Sequence, residues 1–225
     1  MIYWILKHLI VGPLVKLIFR PWVEGAENIP THGPVILVGN HLSVIDSFFL
    51  PLMIERRVSF LAKSDYFTGR GIRGWFVKHF MLSTGQIPID RSGGKASEAS
   101  LNTGLAVLDK GNMLAMYPEG TRSPDARLYR GRTGVARLVV ESGAPVLPVV
   151  MIDTEKALPI GSTVPKIRRI GTVIGEPLDF TRFSGMATDR FVLRSVTDEI
   201  MHEIQKLSGQ EYRDVYASSV RNEKK

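Results

Sequence analysis

Residues 35–51 read VILVGNHLSVIDSFFLP. The run Val35-Ile-Leu-Val-Gly39 is apolar throughout and of strand length, the pattern of a strand buried on both faces of a parallel sheet. A dense polar cluster follows: Asn40, His41, Ser43 and Asp46. A second apolar run begins at Phe48. Ser43-Val-Ile-Asp46 fits the S/T-x-x-D/E capping box that opens a helix. The stretch therefore reads as strand, turn, helix. On an unbroken helix, positions five apart are separated by roughly 140° and do not meet. Across a strand–turn–helix junction they can, so Asp46 can reach back to His41. A carboxylate on one imidazole nitrogen fixes the tautomer and leaves the other nitrogen as a base. From these residues alone, a buried structural histidine stands as the competing reading.

The same grammar extends outward. VILVG (35–39), VSFLA (58–62), GQIPI (85–89), MLAMY (113–117), PVLPVV (145–150) and IGTVIG (170–175) read as strands. Residues 96–109, 133–142 and 188–208 read as helices. The last has Thr188 or Asp189 as its cap, a stripe of Val192, Val196, Ile200, Ile204 and Leu207, and Gly209 as its stop. Alternating strands and helices predict a single α/β domain with a mainly parallel central sheet flanked by helices, over residues 25–210. Residues 1–24 form a separate apolar segment, and 211–225 read as a polar, frayed tail. Ligands of such sheets bind outside the carboxyl ends of the strands. Asn40-His41, Asp90-Arg91 and Pro118-Glu-Gly-Thr-Arg122 each follow a strand directly.

The chain has 225 residues, a formal net charge of +7 and no cysteine. Lack of cysteine excludes disulfides, thiolate metal sites and a thiol acyl-enzyme. Residues 56–95 carry Arg56, Arg57, Lys63, Arg70, Arg73, Lys78, Arg91 and Lys95 against Asp65 and Asp90, and a second basic window spans 122–137. Such windows favour an anionic partner. They lack the interleaved aromatics of a base-stacking platform, which argues against nucleic acid. HLSVID has no second histidine at ligand spacing, and His8, His32, His79 and His202 form no cluster in the sequence, so no metal is expected.

The opening MIYWILKHLIVGPLVKLIFRPW is rich in Ile, Leu and aromatics, but Lys7, His8, Lys16, Arg20 and Gly12-Pro13 interrupt it. It suits an anchor lying in a membrane interface better than a spanning helix or a cleaved signal. Trp4, Tyr3 and Trp22 would sit at headgroup level, with Lys7, Lys16 and Arg20 reaching toward anionic lipid.

The chemistry available is narrow. No G-x-S-x-G elbow is present, and Ser43 and Ser47 are nucleophile candidates only by proximity. The simplest step is for His41 to take a proton from a substrate hydroxyl that attacks an activated carbonyl. In YPEGTRS (117–123), Gly120 permits a tight turn and Arg122 can grip a phosphate as a fork, although a Glu119–Arg122 ion pair is the plainer reading. Arg91 offers a second phosphate ligand.

NHLSVID, GQIPIDR, YPEGTRS and APVLPVV, in that order, resemble the four motifs of the glycerolipid acyltransferases, specifically the 1-acylglycerol-3-phosphate acyltransferases, over roughly residues 22–180. The resemblance implies that His41 is the general base and Asp46 its orienting partner. It places Arg91, Glu119, Gly120, Thr121 and Arg122 in the glycerol-phosphate site, with Lys63 adding to it. Pro148 would be structural or line an acyl pocket. The implied substrates are a lysophospholipid and an acyl thioester, carried by coenzyme A or acyl-carrier protein, with no cofactor. The implied location is the cytoplasmic face of a membrane carrying anionic lipid. The motifs do not separate lysophosphatidate from glycerol-3-phosphate, lysophosphatidylinositol or a lyso-glycolipid as acceptor. A non-catalytic lipid-surface protein is the alternative of a different class.

Overall fold

The computed structural model describes residues 2–89 and 95–223. Helices α1 (Ile2–Ile5) and α2 (Val11–Phe19), joined by a π turn, lead into β1 (Trp22–Glu24), β2 (Val35–Gly39), α3 (Asp46–Met53), β3 (Val58–Lys63), α4 (Gly71–Ser83) and β4 (Gln86–Ile89). There follow α5 (Lys95–Leu108), β5 (Met113–Met116), β6 (Leu128–Tyr129), α6 (Gly134–Ser142), β7 (Val146–Ile152), α7 (Thr154–Ala157), β8 (Gly171–Ile174), α8 (Arg190–Ser208), β9 (Tyr212–Arg213) and α9 (Ala217–Glu223).

The main sheet has the order β1-β8-β7-β2-β5-β3-β4. Its five strands from β7 to β4 run parallel; β8 is antiparallel to β7, and β1 is parallel to β8. The chain leaves β2 toward β3 on one side and β5 toward β7 on the other. The crevice outside the carboxyl ends of β2 and β5 is therefore the topological switch point, where doubly wound sheets take their ligands. Each of the six apolar runs read as strands contributes a strand here. Central β2 is buried at every residue, as its unbroken apolar run requires.

Two cores flank the sheet. One lies under α5, α6 and α8, around Ile36, Val38, Leu114, Leu138, Val196 and Ile200. The other lies under α2 and α3, around Leu37, Phe49, Leu50, Ala115, Leu147 and Val149. In α8, Asp189 accepts from the N–H groups of Phe191 and Val192, and Gly209 closes the helix in the left-handed conformation. Pro148 sits within β7, its ring against Gly175, where a Cβ would come within 2.8 Å of Pro148 Cγ. That is a packing role.

Three expectations are corrected. Residues 211–223 are not frayed. β9 pairs with β6, and Ala217 is fully buried, because a two-residue backbone ladder holds a segment whose side chains are mostly polar. Lys7 does not reach out toward lipid: it is buried, and its Nζ donates to the carbonyls of Ile54 and Glu55 at the end of α3. Burial lowers its pKa to about 8. Trp22 is not held out at a headgroup level either; its indole lies so close over Gly171 that a Cβ there would strike it at 2.3 Å. The N-terminal helices dock on the domain through Val15 and Phe19, with Phe19 edge-on to Phe49, while Trp4, Leu9, Leu14 and Leu17 stay exposed. Among the described residues, no helix is long and apolar enough to cross a membrane.

Candidate active site

His41 and Asp46 meet across the junction between β2 and α3. His41 Nδ1 donates to Asp46 Oδ2 over 2.9 Å. The same oxygen accepts from the backbone N–H groups of Leu42 (2.8 Å) and Ser43 (2.9 Å). Only half of the capping box forms. The carboxylate reaches back to the Ser43 N–H, but the Ser43 hydroxyl donates to Leu158 O over 2.7 Å. The helix begins at Asp46, with Ile45 as its uncapped flank. The carboxylate has been turned from the helix end toward the imidazole. Because Asp46 Oδ2 accepts, Nδ1 carries the hydrogen and Nε2 keeps its lone pair. Asp46 is fully buried, whereas the His41 side chain keeps 17% of its surface open. The pair presents one basic nitrogen at the mouth of the switch-point crevice.

The turn after β5 fixes the backbone on which this pair stands. Glu119 Oε1 accepts from the His41 N–H over 3.1 Å, and Ser123 N–H donates to the His41 carbonyl over 2.7 Å. Glu119 Oε2 accepts from the Tyr129 N–H over 3.1 Å. Glu119 is 1% exposed. It thus clamps two backbone segments, one of them carrying His41. The ion pair with Arg122 is replaced by these two N–H bonds. Burial pushes the Glu119 carboxyl up to about 8, despite the two N–H donors, and Asp46 and Asp125 add to the rise.

That shift has a consequence for stability. The folded protein holds the Glu119 proton to about pH 8, and the unfolded chain releases it near 4.5. Between these values the unfolded state binds fewer protons, so stability falls as pH rises. Glu119→Gln is expected to flatten a decline of a few kcal/mol between about pH 5 and pH 8. Denaturant melts of both proteins across that range measure it, and an unchanged slope would contradict the burial of a protonated carboxyl.

Gly120 has φ +72°, and a Cβ there would come within 3.0 Å of Arg132 Nε, so the turn requires glycine. Thr121 and Arg122 are half-buried on the same turn. Arg122 immediately precedes the residue that binds the His41 carbonyl, which sets its backbone beside the histidine loop. Lys63 ends β3 and pairs with Ile89, so its backbone lies at the same sheet edge. Asp90 and Arg91 lie outside the described residues.

Three participants were not assigned from the sequence. Tyr117 stacks on His41 with ring centroids 4.0 Å apart and planes within 5°. Its only sequence signal is an aromatic residue ending the apolar run ahead of Pro118. Asn40 donates to Met151 O and accepts from Met151 N–H, extending the β2–β7 ladder by one side chain. It also donates to Gln210 Oε1 over 2.8 Å, and Gln210 in turn donates to Ala126 O, so the segment after α8 ties the two motif loops together. Ser47 donates to Tyr117 Oη over 3.3 Å. With Ser43 buried on a carbonyl and Ser47 turned to a phenol, neither serine is set up as a nucleophile. Among the described residues, no group of His, Asp and Glu could hold a metal ion.

Comparison with known proteins agrees with this geometry. A family model described as Acyltransferase matches residues 20–152. A chloroplastic 1-acyl-sn-glycerol-3-phosphate acyltransferase of Brassica napus is 31% identical over 145 residues, covering 64% of this chain and 40% of that protein. The protein of that name in Pseudomonas aeruginosa is 33% identical over 128 residues, covering 56% of this chain and 47% of its own. The chain thus spans less than half the length of these relatives. A 1-acyl-sn-glycerophosphate acyltransferase structure from Thermotoga maritima aligns with a TM-score of 0.59 at 24% identity, over 87% of this chain and 80% of that one, which places the fold.

Proposed function

Because this chain belongs to the acyltransferase family, we propose that it moves a fatty acyl group from acyl-coenzyme A or acyl-carrier protein to the sn-2 hydroxyl of 1-acylglycerol-3-phosphate, giving phosphatidic acid. The observation that carries the reading is the 2.9 Å bond between His41 Nδ1 and buried Asp46, with the ring still open at the switch point. His41 Nε2 takes the proton of the acceptor hydroxyl as its oxygen attacks the thioester carbonyl. The new C–O ester bond forms, the C–S bond breaks, and the imidazolium returns its proton to the departing thiolate. Asp46 stabilises the imidazolium and holds the ring. Tyr117 fixes the ring plane. No residue is acylated on the way, in keeping with a cysteine-free chain and two engaged serines.

Arg122, with Thr121 on its turn, Lys63 from the end of β3 and Arg91, which follows β4 in the sequence, supplies the acceptor's phosphate site. The basic windows and the exposed apolar side of α1 and α2 support a working position on the cytoplasmic face of an anionic membrane, held in the interface. Arg122→Ala is expected to raise the acceptor KM about 10- to 100-fold while leaving kcat within a few fold. A fall in kcat alone would remove Arg122 from the phosphate site. The reading is tested by thiol release from acyl-coenzyme A or acyl-carrier protein over a panel of acceptors. Lysophosphatidate should be preferred over glycerol-3-phosphate, lysophosphatidylinositol and a lyso-glycolipid; release with none of them would overturn it.

A further inference from the structure

Helix α4 carries an apolar face that stays largely exposed among the described residues. Ile72, Trp75, Phe76 and Phe80 recur at helical spacing, and the first three are 79%, 56% and 63% exposed. Scattered surface apolar residues need no explanation, but this set is joined. The Trp75 ring meets Phe76 edge-on at 5.1 Å and lies 4.2 Å from the His79 ring. The inward side is separate: Gly74 presses on the Gly69 backbone and Met81 is buried. Phe80 touches Phe48 of α3 at 5.4 Å, and α3 begins with Asp46. The exposed face is thus continuous with the element that holds His41. Helix α2 likewise leaves Leu14 and Leu17 exposed.

Charge decides what covers this face. Residues 66–89 contain Arg70, Arg73 and Lys78 and no acidic residue. Packing on a second copy would bring like charges together, whereas an anionic lipid surface would neutralise them. An aromatic face beside basic residues is the make-up of a helix that lies in a bilayer interface. We propose that α4 is a second membrane contact, separate from the N-terminal helices, which seats the mouth of the active site on an anionic lipid surface. The proposal rests on the lipid-acyltransferase reading for its partner, but it is read out by binding alone.

The test uses the full chain with vesicles of phosphatidylcholine containing phosphatidylglycerol. With Trp4→Phe and Trp22→Phe, Trp75 is the sole tryptophan. Its emission should shift to the blue and be quenched by lipids brominated along the acyl chain. In the otherwise native protein, Trp75→Ser with Phe76→Ser should lower vesicle affinity at least about tenfold, with an unchanged thermal melt. An unquenched Trp75, or wild-type affinity in the double variant, overturns the proposal. So does a concentration-dependent dimer that shields Trp75 without vesicles. Acyl transfer on the same preparations separates the two readings. A wild type that binds through Trp75 but transfers no acyl group leaves this surface standing and overturns the function proposed above.

Discussion

Asp46→Asn is expected to fold normally and to lose on the order of 10²- to 10⁴-fold in kcat/KM. Asp46 Oδ2 takes three hydrogen bonds, from His41, Leu42 and Ser43, while Oδ1 is buried with none. An amide can keep the three bonds by placing its oxygen where Oδ2 stands. It then buries an unmatched NH₂ where Oδ1 stood, at a cost of about 1–3 kcal/mol. More consequentially, it offers no charge to the imidazolium that forms as His41 takes the hydroxyl proton. The opposite orientation sets an NH₂ against three N–H donors and is worse. Thiol-release kinetics with a thermal melt measure both effects. A variant within threefold of wild type would mean that Asp46 only braces the loop.

His41→Ala should remove acceptor-dependent turnover to background, a loss of about 10³-fold or more, while vesicle association is retained. The structural cost is the stack on Tyr117, worth about 0.5–1.5 kcal/mol, and the bond to buried Asp46, whose Oδ2 keeps the Leu42 and Ser43 N–H donors, while Glu119 and Ser123 hold position 41 through its backbone. Loss of turnover with an intact melt and intact vesicle binding separates the enzyme from a lipid-surface binding protein. Equal activity in the two proteins would assign the chemistry elsewhere.

The parts legible in the sequence are those whose surroundings impose a pattern. β2, β5 and β7 are buried on both faces, so their residues are apolar without break, and α8 is buried on one face, so its stripe repeats at 3.6. The His41–Asp46 contact was readable because strand, turn and helix signals fix that junction within a few residues. Helix α4 escaped because its apolar residues run in blocks, Trp75-Phe-Val77 and Phe80-Met-Leu82, of which only Met81 is buried, so no single stripe marks the period. The clamp that Glu119 forms was not legible for a different reason. A motif tells which residue is needed, not which way it faces, and its partners are backbone N–H groups that no side-chain pattern records. The segment after α8 was misread because its hold on the site runs through one amide side chain, Gln210, and a two-residue ladder.

The central claim is that His41 activates the acceptor hydroxyl directly, with no acyl group resting on the protein. It is tested most directly by rapid mixing of micromolar enzyme with acyl-coenzyme A, following free thiol with and without lysophosphatidate. The account predicts no thiol burst without acceptor, and release matched one-to-one by phosphatidate when acceptor is added. A stoichiometric burst without acceptor, leaving an acylated protein, would contradict it.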